Sequence, residues 1–237
     1  MKMVVVGGNS RDIGKTSVVA GIIRALPHRD WLAIKLTQFG TGGKSSEARE
    51  HGHTANDSAF AIREEQDRSG ETDTSRFLLA GAQRALWITA PAGTLDAAMA
   101  ELRREIERAR NVIVESNSIL RFYEPNVYMT LLDPSTKDFK ASAREFLERA
   151  DALLVLGSQL KTVVETGPQS GEDPRREKRS PWLPGLLTTS PWDGVSLDVL
   201  RRKPVFPVGP EHWVAPEIVD FVEARLRKAP FARYLSS

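Results

Sequence analysis

Gly8, Gly14, Lys15 and Thr16 are the residues of this sequence whose types and spacing point most directly to chemistry. In Gly8-Asn9-Ser10-Arg11-Asp12-Ile13-Gly14-Lys15-Thr16-Ser17 the two glycines let the backbone curl so that successive N–H groups face an anion. A helix starting at the end of that loop adds its partial positive charge. Lys15 is placed to reach the β- and γ-phosphates of a nucleoside triphosphate, ATP or GTP, and the Thr16 hydroxyl to ligate Mg²⁺. The usual pattern has four residues between its glycines. Here the glycines enclose five, and Asn9 stands where the shorter form would place glycine. The binding set expected from this stretch is Gly8, Asn9, Ser10, Arg11, Ile13, Gly14, Lys15, Thr16 and Ser17.

Further candidates come from strand ends and the loop itself. Glu115 closes the apolar run Val112-Ile113-Val114, where it serves as a second acidic group near the metal or the attacking nucleophile, or caps the next turn. Asp12 could orient a nucleophile or a metal-bound water, and Arg11 could offset charge built up in phosphoryl transfer; either could instead be solvated. Lys35 ends the apolar run from Trp31, where a charge faces an anion or snorkels to the surface. Asp73 either reaches the magnesium shell through water or caps a helix. The expected catalytic set is thus Lys15, Glu115, Asp12 and Lys35, and the metal set Thr16, Glu115 and Asp73. Thr37, Gln38 and the turn after Glu115 are where acceptor contacts are sought. Ser158, Pro207 and Val208 are placed near a base by fold analogy alone. The sequence has no Asn-Lys-x-Asp guanine signature, so the base is left open between adenine and guanine.

These residues need elements to carry them. Val4-Val5-Val6 suits a buried strand, and Val18, Val19, Ile22, Ile23 and Leu26 mark one buried face of a helix stopped by Pro27. Strands are expected at 31–35, 85–88, 111–115 and 152–156, with an edge strand at 205–208 if Pro207 is tolerated. Helices are expected at 76–82, 94–110, 139–150 and 215–228. Val127–Leu132 is either a short strand or a buried loop. Strands alternating with helices predict an α/β fold of three layers, a mainly parallel sheet with helices on both faces, in one domain over 1–237. Ligands of such a sheet sit beyond the carboxyl ends of its strands, so the turns after Val6, Lys35, Glu115 and Leu156 should converge. Two polar stretches, 41–71 and 165–191, are expected to be mobile loops, with a single helical turn at 59–62 inside the first.

Composition sets limits on partners. Lys plus Arg number 33 against 31 Asp plus Glu, a formal charge of +2, which gives no general attraction to nucleic acid. The absence of cysteine excludes disulfides, thiolate metal sites and a cysteine nucleophile. No apolar run approaches the length of a membrane span, and the chain enters a strand at once, so a cytoplasmic protein without a membrane partner is expected. His51 and His53 lack a matching third ligand and fit a solvated loop better than a metal site. Arg175–Arg179 is interrupted by Glu177 and lacks an aromatic platform, which favours solvent over nucleic acid. Trp182 and Trp192 flank it as a lid or as packing.

The five-residue spacing, with an acidic-aliphatic pair before Gly14, resembles the loop of dethiobiotin synthetases, a branch of the P-loop NTPase fold. Lys35, the strand Val112–Glu115 and the segment Ala152–Leu160 match that family in outline. Asp73-Thr74-Ser75-Arg76, followed by Ala80-Gly81-Ala82, is similar to the molybdopterin-guanine dinucleotide biosynthesis protein B family of GTP-binding accessory proteins. Together the resemblances cover most of 1–160. The first implies ATP-dependent, ligase-like activation of a small carboxylate; the second implies a nucleotide switch acting through a protein partner, with 41–71 ordering on binding. A third expectation is a P-loop domain kept for assembly alone. Related folds often place a second subunit over such a site, which leaves a homodimer open. Ser116-Asn117-Ser118 departs from both families, which follow the strand glutamate with glycine.

Overall fold

Met3 and Val5 point to one side of the first strand and Val4 and Val6 to the other, and all four are fully buried. That alternation places β1 (Lys2–Gly8) in the middle of a sheet covered on both faces. A computed structural model describes residues 1–39, 60–157, 190, 192–228 and 230–235. Its main sheet has eight strands: β1; β2 (Trp31–Phe39); β3 (Ala61–Glu64); β4 (Arg84–Pro91); β5 (Asn111–Glu115); β7 (Val127–Leu132); β8 (Ala152–Leu156); and β9 (Val205–Val208). Their order is β3-β4-β2-β5-β1-β7-β8-β9. Every neighbour is parallel except β3, which runs antiparallel to β4 at one edge. A separate antiparallel pair joins β6 (Tyr123–Glu124) to β10 (Arg233–Tyr234).

On one face pack α1 (Lys15–Ala25), α2 (Asp73–Leu79) and α6 (Pro216–Lys228); on the other pack α3 (Leu95–Arg108) and α4 (Ala141–Phe146). A further short helix, α5 (Leu197–Arg201), precedes β9. This is the expected three-layer α/β fold. The α1 face is the one read from the sequence, with Val18, Val19, Ile22, Ile23 and Leu26 all buried. Among the described residues, no helix is long and apolar enough to cross a membrane.

Several elements differ from expectation. Lys35 lies in the middle of β2, not at its end, because pairing with β4 continues through Phe39↔Pro91. Pairing with β5 stops at Lys35↔Glu115, so β2 and β4 run on together past the end of β5. The helical turn sought at 59–62 is replaced from Ala61 by β3, whose Ile62 pairs with Ile88. Residues 60–71 of the first polar stretch are therefore partly structured. The helix expected at 76–82 begins at Asp73, and its cap is Thr72, not Asp73: Thr72 Oγ1 accepts from Ser75 N–H while Ser75 Oγ accepts from Thr72 N–H. Val127–Leu132 is a wholly buried strand. The helix expected at 139–150 shortens to α4 and a 3₁₀ turn, Leu147–Arg149. Pro207 is accommodated because β9 is an edge strand, paired to β8 alone. Trp192 packs in the core, edge-on to Phe139 at 5.3 Å with its indole N–H on Thr136 O. His51, His53, Ser158, Arg175–Arg179 and Trp182 lie outside the described residues, as does most of both polar stretches.

Candidate functional site

Leaving β1, the chain is held before it turns. Gly8 N–H donates to Asn117 Oδ1 at 3.0 Å, and Asn117 Nδ2 donates back to Gly8 O at 2.9 Å. A side chain on Gly7 would put its Cβ 2.0 Å from the same Oδ1, which is why glycine precedes the loop. Asn9 is fully buried: its N–H donates to Leu131 O, its Oδ1 accepts from Asp133 N–H at 3.0 Å, and its Nδ2 donates to Asp138 O at 3.1 Å. The Gly8 and Asn9 amides are thus engaged within the protein, and these two residues brace the loop. From there the chain runs from Ser10 to Gly14 before α1 begins.

Two positive φ angles bend that stretch into α1, 52° at Asp12 and 94° at Gly14. The second is available to Gly14 without strain. A Cβ there would also lie 2.1 Å from the Trp213 ring, so the indole packs directly on the loop's last glycine. Lys15 Nζ donates to Ser10 O at 2.9 Å across the loop. Thr16, in the first turn of α1, donates through Oγ1 to Glu115 Oε2 at 2.8 Å, with the two residues only 8 % and 6 % exposed. The strand order, the loop after β1 and the lysine–threonine pair opening α1 now stand together. The fold is three-layer α/β, with a mainly parallel sheet covered by helices on both faces.

The loop after β1 forms one wall of a cavity of about 550 Å³ beyond the carboxyl ends of β1 and β5 and alongside the second half of β2. Into it face six cations (Arg11, Lys15, Lys35, Arg76, Arg121 and Lys140) and three carboxylates (Asp12, Asp73 and Glu115), a formal excess of three positive charges. Asp73 is taken up by Lys35 Nζ, with Arg76 Nη1 at 3.8 Å and Arg76 Nη2 donating to Ser17 Oγ at 3.0 Å. Of the expected metal set, the structure therefore brings Thr16 and Glu115 into contact and holds Asp73 in a separate ion-pair cluster. Ser10 Oγ donates to Asp138, and Ile13 is buried under the loop. Val208 is buried in the core and Pro207 is half-buried; neither lines the cavity.

Sequence reasoning missed Asn117, Lys140, Arg76 and Trp213. Burial first, then the Lys15 and Arg11 charges, pushes the Lys140 ammonium down from 10.5 to about 8. Assigning Val127–Leu132 as a strand would have put Lys140 at the same sheet edge; Asn117 and Trp213 carry no local signal. Ser118 Oγ donates to Gln38 Oε1 at 2.8 Å. Gln38 and Arg121 also line a second cavity of about 220 Å³ with Leu95, Phe122 and Leu235. No group of three or more His, Cys, Asp or Glu arranged to hold a metal occurs among the described residues.

No family model matches the chain, and no curated protein sequence matches it. Among solved structures it is similar to HypB from Helicobacter pylori, crystallised in complex with nickel, at 13 % identity and a TM-score of 0.46, with 95 % of this chain and 87 % of that one covered. It is also similar to the "apo" form of LpxK from Aquifex aeolicus in complex with ATP, at 16 % identity, TM-score 0.37, and 73 % and 51 % coverage. A chain of the MinC:MinD cell division protein complex of Aquifex aeolicus matches at 12 % identity, TM-score 0.41, and 95 % and 86 % coverage. Likenesses of this degree say nothing about what this chain binds.

Proposed function

We propose that this protein binds a nucleoside triphosphate with Mg²⁺ and transfers or hydrolyses the γ-phosphoryl group. The observation that carries the reading is the buried Thr16–Glu115 contact beside Lys15, at the mouth of a cavity with a cationic excess. A hydroxyl and a carboxylate are hard oxygen donors of the kind Mg²⁺ takes, and a set smaller than a full protein cage suits an ion that shares its shell with phosphate and water. Thr16 and Glu115 are the residues that would hold it. The ion supplies charge neutralisation on the phosphates. Lys15 and the amides between Ser10 and Thr16 offset charge spreading over the phosphoryl oxygens, and Arg11 adds to that field. Glu115 or Asp12 places the nucleophile.

A small acid is the acceptor we favour over water. The 220 Å³ cavity adjoins the first through Gln38 and Arg121, and sets Leu95, Phe122 and Leu235 beside the Arg121 guanidinium, which also pairs with Glu145, and the carboxylate of Asp96. In that case a carboxylate oxygen attacks the γ-phosphorus, the bond to the β–γ bridging oxygen breaks, and an acyl phosphate and nucleoside diphosphate result. This agrees with the ligase-like resemblance of the loop.

Titration calorimetry with slowly hydrolysed ATP and GTP analogues plus Mg²⁺, on the parent and on Lys15→Ala, tests the reading. Heat from the parent with one or both nucleotides, and its loss in the variant, is expected. Equal heats from the two proteins overturn it.

A further inference from the structure

Lys140 is outside the P-loop, yet the fold ties it to the loop through several bonds. Its backbone N–H donates to Asn9 O at 2.8 Å. Asn9 reaches back to Asp133 N–H and Asp138 O, and Ser10 Oγ donates to Asp138 Oδ2 at 3.1 Å. The segment 133–140 is in this way laced to the first half of the P-loop, and the Lys140 side chain lines the same cavity as Lys15 and Arg11. Three cations from two segments share that wall. Asp12 on the loop and Asp138 on Lys140's own segment are the acidic groups that face it, and neither makes an ion pair with Lys140 among the described residues. Three cations gathered on one wall, with Asp138 accepting from Ser10 Oγ and Asp12 the one carboxylate beside them on the loop, describe a place for a polyanion.

We propose that Lys140 is a second phosphate-binding lysine of this site, delivered from the β7–α4 segment and registered against the P-loop by Asn9. The inference rests on the nucleotide reading above and adds a residue to it. A triphosphate laid along the loop is then held from the α1 side by Lys15 and from the β7 side by Lys140. Because burial and the Lys15 and Arg11 charges ease the proton off Lys140, its grip is strongest where it remains an ammonium and loosens as pH rises past about 8.

Calorimetry with the same ATP and GTP analogues and Mg²⁺, on the full chain and on Lys140→Gln and Lys140→Arg, provides the test. Lys140→Gln is expected to weaken binding roughly 10- to 100-fold, and Lys140→Arg to stay within about fivefold of the parent. Parent affinity should fall between pH 7 and 9.5 while that of Lys140→Arg holds, a difference that a structural role would not produce. Thermal melts of the ligand-free variants identify any loss due to misfolding, in which case Lys140→Arg and the pH profile carry the decision. Parent-like affinity in Lys140→Gln, with binding abolished in Lys15→Ala, overturns this inference and leaves the nucleotide reading intact. No binding by the parent removes both.

Discussion

Thr16 Oγ1 donates to Glu115 Oε2 at 2.8 Å, joining the first turn of α1 to the last residue of β5 across 99 positions of sequence. The bond fixes the hydroxyl and the carboxylate relative to each other before any ligand arrives. Glu115→Gln keeps the size and an oxygen acceptor but removes the charge. Phosphoryl transfer should fall at least about 100-fold, well beyond the accompanying loss of Mg-nucleotide affinity. Phosphate release under single-turnover conditions, set beside calorimetric affinity, checks this. Unchanged turnover would return Glu115 to capping its turn.

Asn117 satisfies both backbone groups of Gly8 with one side chain. Asn117→Leu would leave a buried N–H and a buried C=O without partners. A loss of about 2–4 kcal/mol is expected, since each orphaned buried group costs roughly 1–3 kcal/mol. Urea denaturation at neutral pH measures it directly. Asn117→Asp should also destabilise, because a carboxylate cannot donate to Gly8 O.

Gly14 combines a φ of 94° with an indole packed where a Cβ would go. Gly14→Ala should cost about 3 kcal/mol or more from strain and overlap together. In a Trp213→Ala background the overlap is gone and the backbone strain remains, so the same substitution should cost only about 1–2 kcal/mol. A double-mutant cycle by chemical denaturation separates the two. Equal costs in both backgrounds would show that Trp213 yields freely.

Lys140 links charge to stability in a direction that can be worked out. Its ammonium releases a proton near 8 in the folded chain, against 10.5 when exposed. Between those values the unfolded chain binds more protons, so this group's contribution to stability rises with pH, and its penalty is fully present below about 8. Lys140→Met should therefore stabilise the ligand-free protein at pH 7 by roughly 1 kcal/mol, allowing for solvent screening of a half-buried group. The gain should shrink towards pH 10. Melting temperatures of both proteins across pH 6.5–10 would show it.

Much of the framework was legible because it is written locally. Val4–Val6, Val112–Val114 and Ala152–Leu156 are apolar runs of strand length between turn residues, and α1 shows one helical stripe. The glycines of the loop mark the turn from β1 into α1 for the same reason. The polar end of β2 was not legible: Thr37 and Gln38 look like a turn, and only pairing with β4 makes them strand. The four-residue edge strand β3, with its exposed Arg63 and Glu64, has too short and too polar a pattern to separate from loop. Asn117, Lys140 and Trp213 gain their roles from contacts more than 100 residues away in sequence, and no local period encodes such contacts.

β2 and β4 remain paired for four residues, Leu36 to Phe39, after β5 has ended at Glu115. At about 3.3 Å per residue this shelf projects roughly 13 Å beyond the level of Lys35 and Glu115. Gln38 near its tip and Arg121 line both cavities. A shelf of set length is a gauge: a molecule seated in the smaller cavity enters the larger one only if it extends past Gln38. Shortening or lengthening the paired segment would then change the size of molecule admitted, while the charges lining the larger cavity stay where they are.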